Sequence, residues 1–126
     1  MDVAQALADL QEISSQIEAA VVFGADGSVA GSTLADAGAA QALADAAAAL
    51  LERADAVRGA EAAVIQLEAS LADGCVFVVR DGDRRIAATT VPGPTVGLVF
   101  YDLKSCLRDS EEPAEKPKRT RKKAEE

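Results

Sequence analysis

The alanine-rich run QALADAAAALLERADAV, from Gln41 to Val57, constrains the fold of this chain more than any other stretch. Nothing in it breaks a helix, and alanine is the best helix former, so local preference alone dictates a helix over about residues 39–56. Its larger apolar groups, Leu43, Leu50, Leu51 and Val57, fall on one side, with Ala46, Ala47 and Ala54 between them. So small a face admits another backbone at close range. Two packings are open: the helix lies on a sheet of its own chain, or it also meets a second copy of itself.

Strand-like segments stand on both sides of this helix. Val3, Leu7, Leu10, Ile13 and Ile17 recur at helical spacing, which predicts an opening helix of about seventeen residues. Ala20 to Phe23 is a short apolar run suited to a strand covered on both faces. Gly24 to Gly27 supplies a tight reversal, and Ser28 to Ser32 returns as a weaker strand. Asp36 is placed to cap the alanine-rich helix, and Arg58 with Gly59 to end it. Ala63, Ile65 and Leu67 then alternate with Val64, Gln66 and Glu68, as in a strand with one covered face. Asp73-Gly74 turns the chain into Cys75 to Val79, apolar enough for the centre of a sheet, and Asp81-Gly82-Asp83 turns it again into Arg84 to Thr90. After Pro92 and Pro94, Thr95 opens a last helix with a stripe of Val96, Val99, Phe100, Leu103 and Leu107. The order is helix, two strands, helix, three strands, helix. Its natural packing is α+β, one five-stranded antiparallel sheet with helices on its faces.

The folded unit is expected over residues 1–108, with 109–126 a disordered charged tail. Of the hydrophobic residues, 28 are alanine and only 31 are Val, Ile, Leu, Met or Phe, so the core is light and oligomerisation would support it. The net charge is −8, yet the tail from Asp109 carries equal numbers of acids and bases. The imbalance therefore belongs to the body, which makes specific nucleic-acid binding an unfavourable reading. The tail's cluster of Lys116, Lys118, Arg119, Arg121, Lys122 and Lys123 reads either as a self-screening solvated segment or as an electrostatic tether to an anionic surface. With no secretory leader or long apolar run, the expected location is the cytoplasm.

Catalytic chemistry has little to work with. The chain has no histidine and no phosphate-binding Gly-Lys-Ser/Thr loop. Its serines have no base to activate them, its Asp-Gly pairs sit where hairpins need turns, and Cys75 and Cys106 read as buried free thiols. The expectation is a protein that is no enzyme and needs no metal or cofactor.

The succession of VVFGADGSVAGS, the alanine-rich helix, AVIQLEASLADGCVFVVRDGDRRIAAT and PTVGLVFYDLKSCL resembles the Roadblock/LC7 family across about Leu7 to Leu107. The resemblance implies a profilin-like fold and a homodimer or heterodimer in which the second helices pack antiparallel and the third strands join edge to edge. The implied seam is Leu43, Ala47, Leu50, Ala54 and Val57 on the helix with Val64, Gln66 and Glu68 on the strand. It also implies a regulator or platform that binds a Ras-like small GTPase and modulates its nucleotide cycle, as in bacterial gliding motility, with Arg53 and Arg58 near the docking surface. The competing reading is a structural scaffold or heterodimer subunit with non-GTPase partners, tethered by its basic tail. A small-ligand sensor is disfavoured, because no polar groups converge within the apolar segments.

Overall fold

The computed structural model describes residues 2–58 and 65–110, with Arg58 described in its backbone only. Three helices and five strands follow one another as α1 (Val3–Ile13), β1 (Ile17–Gly24), β2 (Val29–Ser32), α2 (Ala37–Arg58), β3 (Gln66–Leu71), β4 (Gly74–Asp81), β5 (Arg84–Thr90) and α3 (Val96–Ser110). The fold is α+β: one antiparallel sheet in the order β2-β1-β5-β4-β3, with helices on both faces.

Two thin cores share that sheet. On one face α1 and α3 cover Ala20, Val22, Phe77, Val79, Ile86 and Ala88. The rings of Phe77 and Phe100 meet there edge to face, 4.9 Å between centroids. On the other face α2 covers Val21, Phe23, Val78 and Ala87. β1 is buried from both sides, as its unbroken apolar run requires. The centre of the sheet is β5, between β1 and β4, rather than the expected run Cys75 to Val79, because β1 closes onto the far side of the meander.

Several expected boundaries move. Helix α1 starts on an Asp2 cap, whose carboxylate accepts from the Gln5 amide, and ends at Ile13, short of Ile17. Ser14 turns extended there while its N–H still bonds the Leu10 carbonyl. Ile17 continues the helical period, but its ladder position opposite Thr90 offers more burial than another helical turn. Ser28 stays out of β2, since its N–H and hydroxyl both bond the Asp26 carboxylate in the turn. Asp36 caps α2 as expected, accepting from the Ala39 amide at 3.0 Å. The first of the expected meander strands runs Gln66–Leu71 and Ile65 is exposed; Gly59, Ala63 and Val64 lie outside the described residues.

The main correction concerns the face of α2. Its buried stripe is Ala40, Ala44, Ala47 and Leu51, rotated from the expected line through Leu43, Leu50 and Val57; Ala46 is exposed. Alanines go down because Phe23 and Val78 stand up from the sheet beneath them, and small packs against large. On the opposite face Gly31 lets α1 approach, since a β-carbon there would collide with a Val3 methyl. In α3, Cys106 joins the expected stripe and Val96 is 39% exposed.

Buried polar groups are few among the described residues. Both thiols are free and buried, and burial pushes Cys106 up to about 12, so Cys106 is no nucleophile at neutral pH. Asp102 on α3 is 6% exposed, and burial raises its pKa. The folded chain therefore holds that proton more tightly than the unfolded chain does. Its carboxylate costs stability as pH rises through the raised folded value, and costs none well below about pH 4.

Two stability measurements follow. Asp102→Asn is more stable than the parent at pH 7, and its lead in urea midpoint closes as pH falls below about 4, the ordinary carboxylate range. Gly74→Ala, whose β-carbon would meet the Thr90 carbonyl oxygen, loses about 1–3 kcal/mol, whereas Gly97→Ala, which meets nothing within 4 Å in α3, gains up to about 1 kcal/mol. Equal thermal midpoints for both glycine variants contradict the packing described.

Candidate protein-interaction surface

Helix periodicity gives α2 two unlike flanks beside its buried stripe. On one flank stand Leu43, Leu50, Ala54 and Val57, the first three half-buried and Val57 78% exposed. Beside them the α2 face of the sheet continues into β4 and β3, where Leu67 and Val76 are half-buried and Leu71 is 60% exposed. α2 crosses β1, β2 and β5, so this outer part of the sheet is left partly open. Among the described residues β3 is also an edge strand, bonded on one side only, to β4. An unpaired strand edge and an uncovered apolar strip are thus side by side, the arrangement that invites another chain.

The residues named from the sequence distribute unevenly over this surface. Leu43, Leu50, Ala54 and Val57 are brought into one line. Ala47 is fully buried against the chain's own sheet and lies under the surface rather than on it. Gln66 is half-buried, and its Oε1 has no hydrogen-bond partner among the described residues. Glu68 is exposed and accepts from the Ser70 hydroxyl at 3.1 Å, so of this pair only Gln66 needs a donor. Arg53 is exposed, one helical turn from both Leu50 and Val57. Val64, the Arg58 side chain and the basic cluster from Lys116 to Lys123 lie outside the described residues.

Sequence reading missed Leu67, Leu71 and Val76, which join the surface through strand register, and it missed a polar site on the other flank of α2. There Asp55 takes a bidentate ion pair from Arg80 on β4, at 2.8 and 2.9 Å. Arg85 on β5 stands directly across the ladder from Arg80, and its guanidinium bonds the Gly82 carbonyl at 2.8 Å. Burial first, then the charge of Arg80, pulls the Arg85 pKa below its ordinary value. These side chains border a cavity of about 330 Å³ floored by Phe23, Ala48 and Leu51. A signal existed: a two-residue turn at Gly82-Asp83 sets Arg80 opposite Arg85 by counting outward. The expectation that no polar groups converge on apolar segments is therefore corrected here.

Among the described residues no group of three or more metal-ligating side chains gathers, and no helix is long and apolar enough to cross a membrane. No family model matches the sequence, and no curated protein sequence matches it either. Solved structures do match. A Roadblock/LC7 domain from Streptomyces avermitilis aligns at TM-score 0.76 and 18% identity, covering 86% of this chain and 94% of that one. The gliding protein MglB from Thermus thermophilus aligns at 0.71 and 12% identity, covering 86% and 84%. MglB in a tetrameric arrangement aligns at 0.65 and 14% identity, again covering 86% and 84%. At these identities the likeness is one of fold.

Proposed function

We propose, starting from the Roadblock/LC7 fold that the chain adopts, that two copies pair into a non-enzymatic platform that binds a Ras-like small GTPase and modulates its nucleotide cycle. The observation that carries the pairing is the open β3 edge lying beside the uncovered Leu43, Leu50 and Val57 flank of α2. In the proposed dimer the α2 flanks cross antiparallel, and the β3 edges bond to make one continuous sheet. Leu67, Leu71 and Val76 lose their water, and the edge loses its unpaired amides. The helix is about 33 Å long at 1.5 Å per residue, long enough to span such a seam from end to end. The light core favours the same outcome, because a second copy adds apolar burial that the single chain lacks.

The GTPase half of the proposal draws on the likeness to gliding-motility MglB structures, one of which is tetrameric. Paired α2 helices present their outer faces to the partner, with Arg53 at the edge of that surface. The chain supplies shape and positioning, with no histidine to supply a base.

Sedimentation equilibrium from nanomolar to high micromolar protein tests the pairing. The full chain and a version ending at Ser110 both sediment as dimers, and Leu50→Glu weakens the dimer at least about thirtyfold, the loss of one interface hot spot, while α2 keeps its circular dichroism signal. A monomer at every concentration removes the platform. For the partner, pull-downs with small GTPases loaded with GTP and with GDP separate the two nucleotide states; capture of neither form by the verified dimer overturns the GTPase assignment.

A further inference from the structure

The cavity on the Ala48 and Glu52 flank of α2 holds an electrostatic arrangement that pairing of two copies does not explain. Arg80 and Arg85 are direct cross-strand neighbours on the same face of β4 and β5, and like charges so placed repel. One carboxylate, Asp55, is bonded to them, and both of its oxygens go to Arg80. Arg85 is half-buried, and among the described residues its guanidinium bonds a carbonyl and no carboxylate. The chain thus keeps a partly desolvated cation facing another cation, beside open space rather than beside packed side chains.

We propose that Arg80 and Arg85 form a binding site for a phosphate group. Asp55 holds the Arg80 fork in place, as a preorganised phosphate site needs, and Arg85 supplies the donors that remain. A phosphate monoester carries close to two negative charges at neutral pH and offers three acceptor oxygens, so it can bridge two guanidinium groups and offset their repulsion. Phe23, Ala48 and Leu51 also line the cavity, but Phe23 and Leu51 are almost fully covered, so the site offers little apolar surface to whatever carries the phosphate. The carboxylates of Asp55 and Glu52 also border it, and the charges of Asp83 and Asp55 act on Arg85, so the two guanidinium charges are already offset when the site is empty. That balance sets the affinity to modest values and makes binding sensitive to salt. The site lies on the opposite flank of α2 from Leu43 and Leu50, so it stays open whether or not the chain pairs with a copy of itself.

The test follows the guanidinium Nε–H resonances of the full chain as inorganic phosphate replaces chloride at constant ionic strength, with O-phosphoserine and acetate in parallel series. The Arg80 and Arg85 signals are expected to shift saturably with phosphate. Arg85→Gln weakens the response at least about tenfold, as loss of one charge-assisted hydrogen bond requires. Arg85→Lys, which keeps the charge and loses the fork, weakens it too and carries the test if Arg85→Gln fails to fold. Lys104→Gln removes an equal charge on α3 and leaves the response unchanged. A stronger response to O-phosphoserine than to inorganic phosphate assigns a phosphorylated side chain as the ligand, and an equal response assigns free phosphate. Absence of a saturable shift, an unchanged response in both Arg85 variants, or acetate acting as well as phosphate overturns the proposal.

Discussion

Pairing of β1 with β5 is the interaction on which the rest of the structure depends. It runs from Ile17 opposite Thr90 to Gly24 opposite Arg84, and it joins an amino-terminal helix and hairpin to a carboxy-terminal meander that share no turn. Each hairpin closes locally, but this ladder closes a loop of some sixty residues, so its formation is entropically costly and holds only if side chains reward it. The reward comes from both faces at once. Val22 and Ala20 complete the core under α1 and α3, while Val21 and Phe23 complete the one under α2. No other strand pair among the described residues serves two cores through so many fully buried positions.

That double use explains why the layers are thin and why small residues carry so much of the packing. With Phe23 and Val78 rising from one face, alanines fill most of the positions beneath α2, and Gly31 plays the same part under α1. Alanine burial gives little transfer energy per residue, so α2 gains most of its hold from Leu51 and from the helix's own propensity. The leucines of α2 are left to one side. Leu43 and Leu50 rest half-covered beside a sheet margin that α2 covers only in part, and among the described residues the edge of β3 lies open beyond them. An apolar flank next to an unpaired strand is the physical content of the interaction surface.

The same β1–β5–β4 alignment builds the polar site. Phe23, Arg85 and Arg80 stand in one row across three strands, and α2 brings Asp55 to the end of that row. The paired arginines are costly where they are, and the chain commits its best-oriented carboxylate to only one of them. One pair nearer the turn, on the opposite face of the sheet, the charge pattern is ordinary: Arg84 faces Asp81 and reaches the Ser110 hydroxyl at the close of α3.

Much of this was written locally. The element order, the three Asp-Gly reversals, the Asp36 cap and the buried character of β1 follow from propensity, turn chemistry and hydrophobic period, each of which acts over a few residues. Tertiary contacts decided the rest. The end of α1 at Ile13 depends on Ile17 finding Thr90, and the central place of β5 depends on β1. The rotation of α2 depends on which side chains the sheet raises beneath it, since a helix of alanines is nearly as apolar on one side as on another. Part of the candidate seam, Leu43, Leu50, Ala54 and Val57, was legible as a helical line, while Leu67, Leu71 and Val76 joined it only through register. Sequence alone determines which groups are available and how each short segment bends, because those energies are local. Which face turns inward, and which charges end up opposite one another, is set by contacts between segments far apart in the chain.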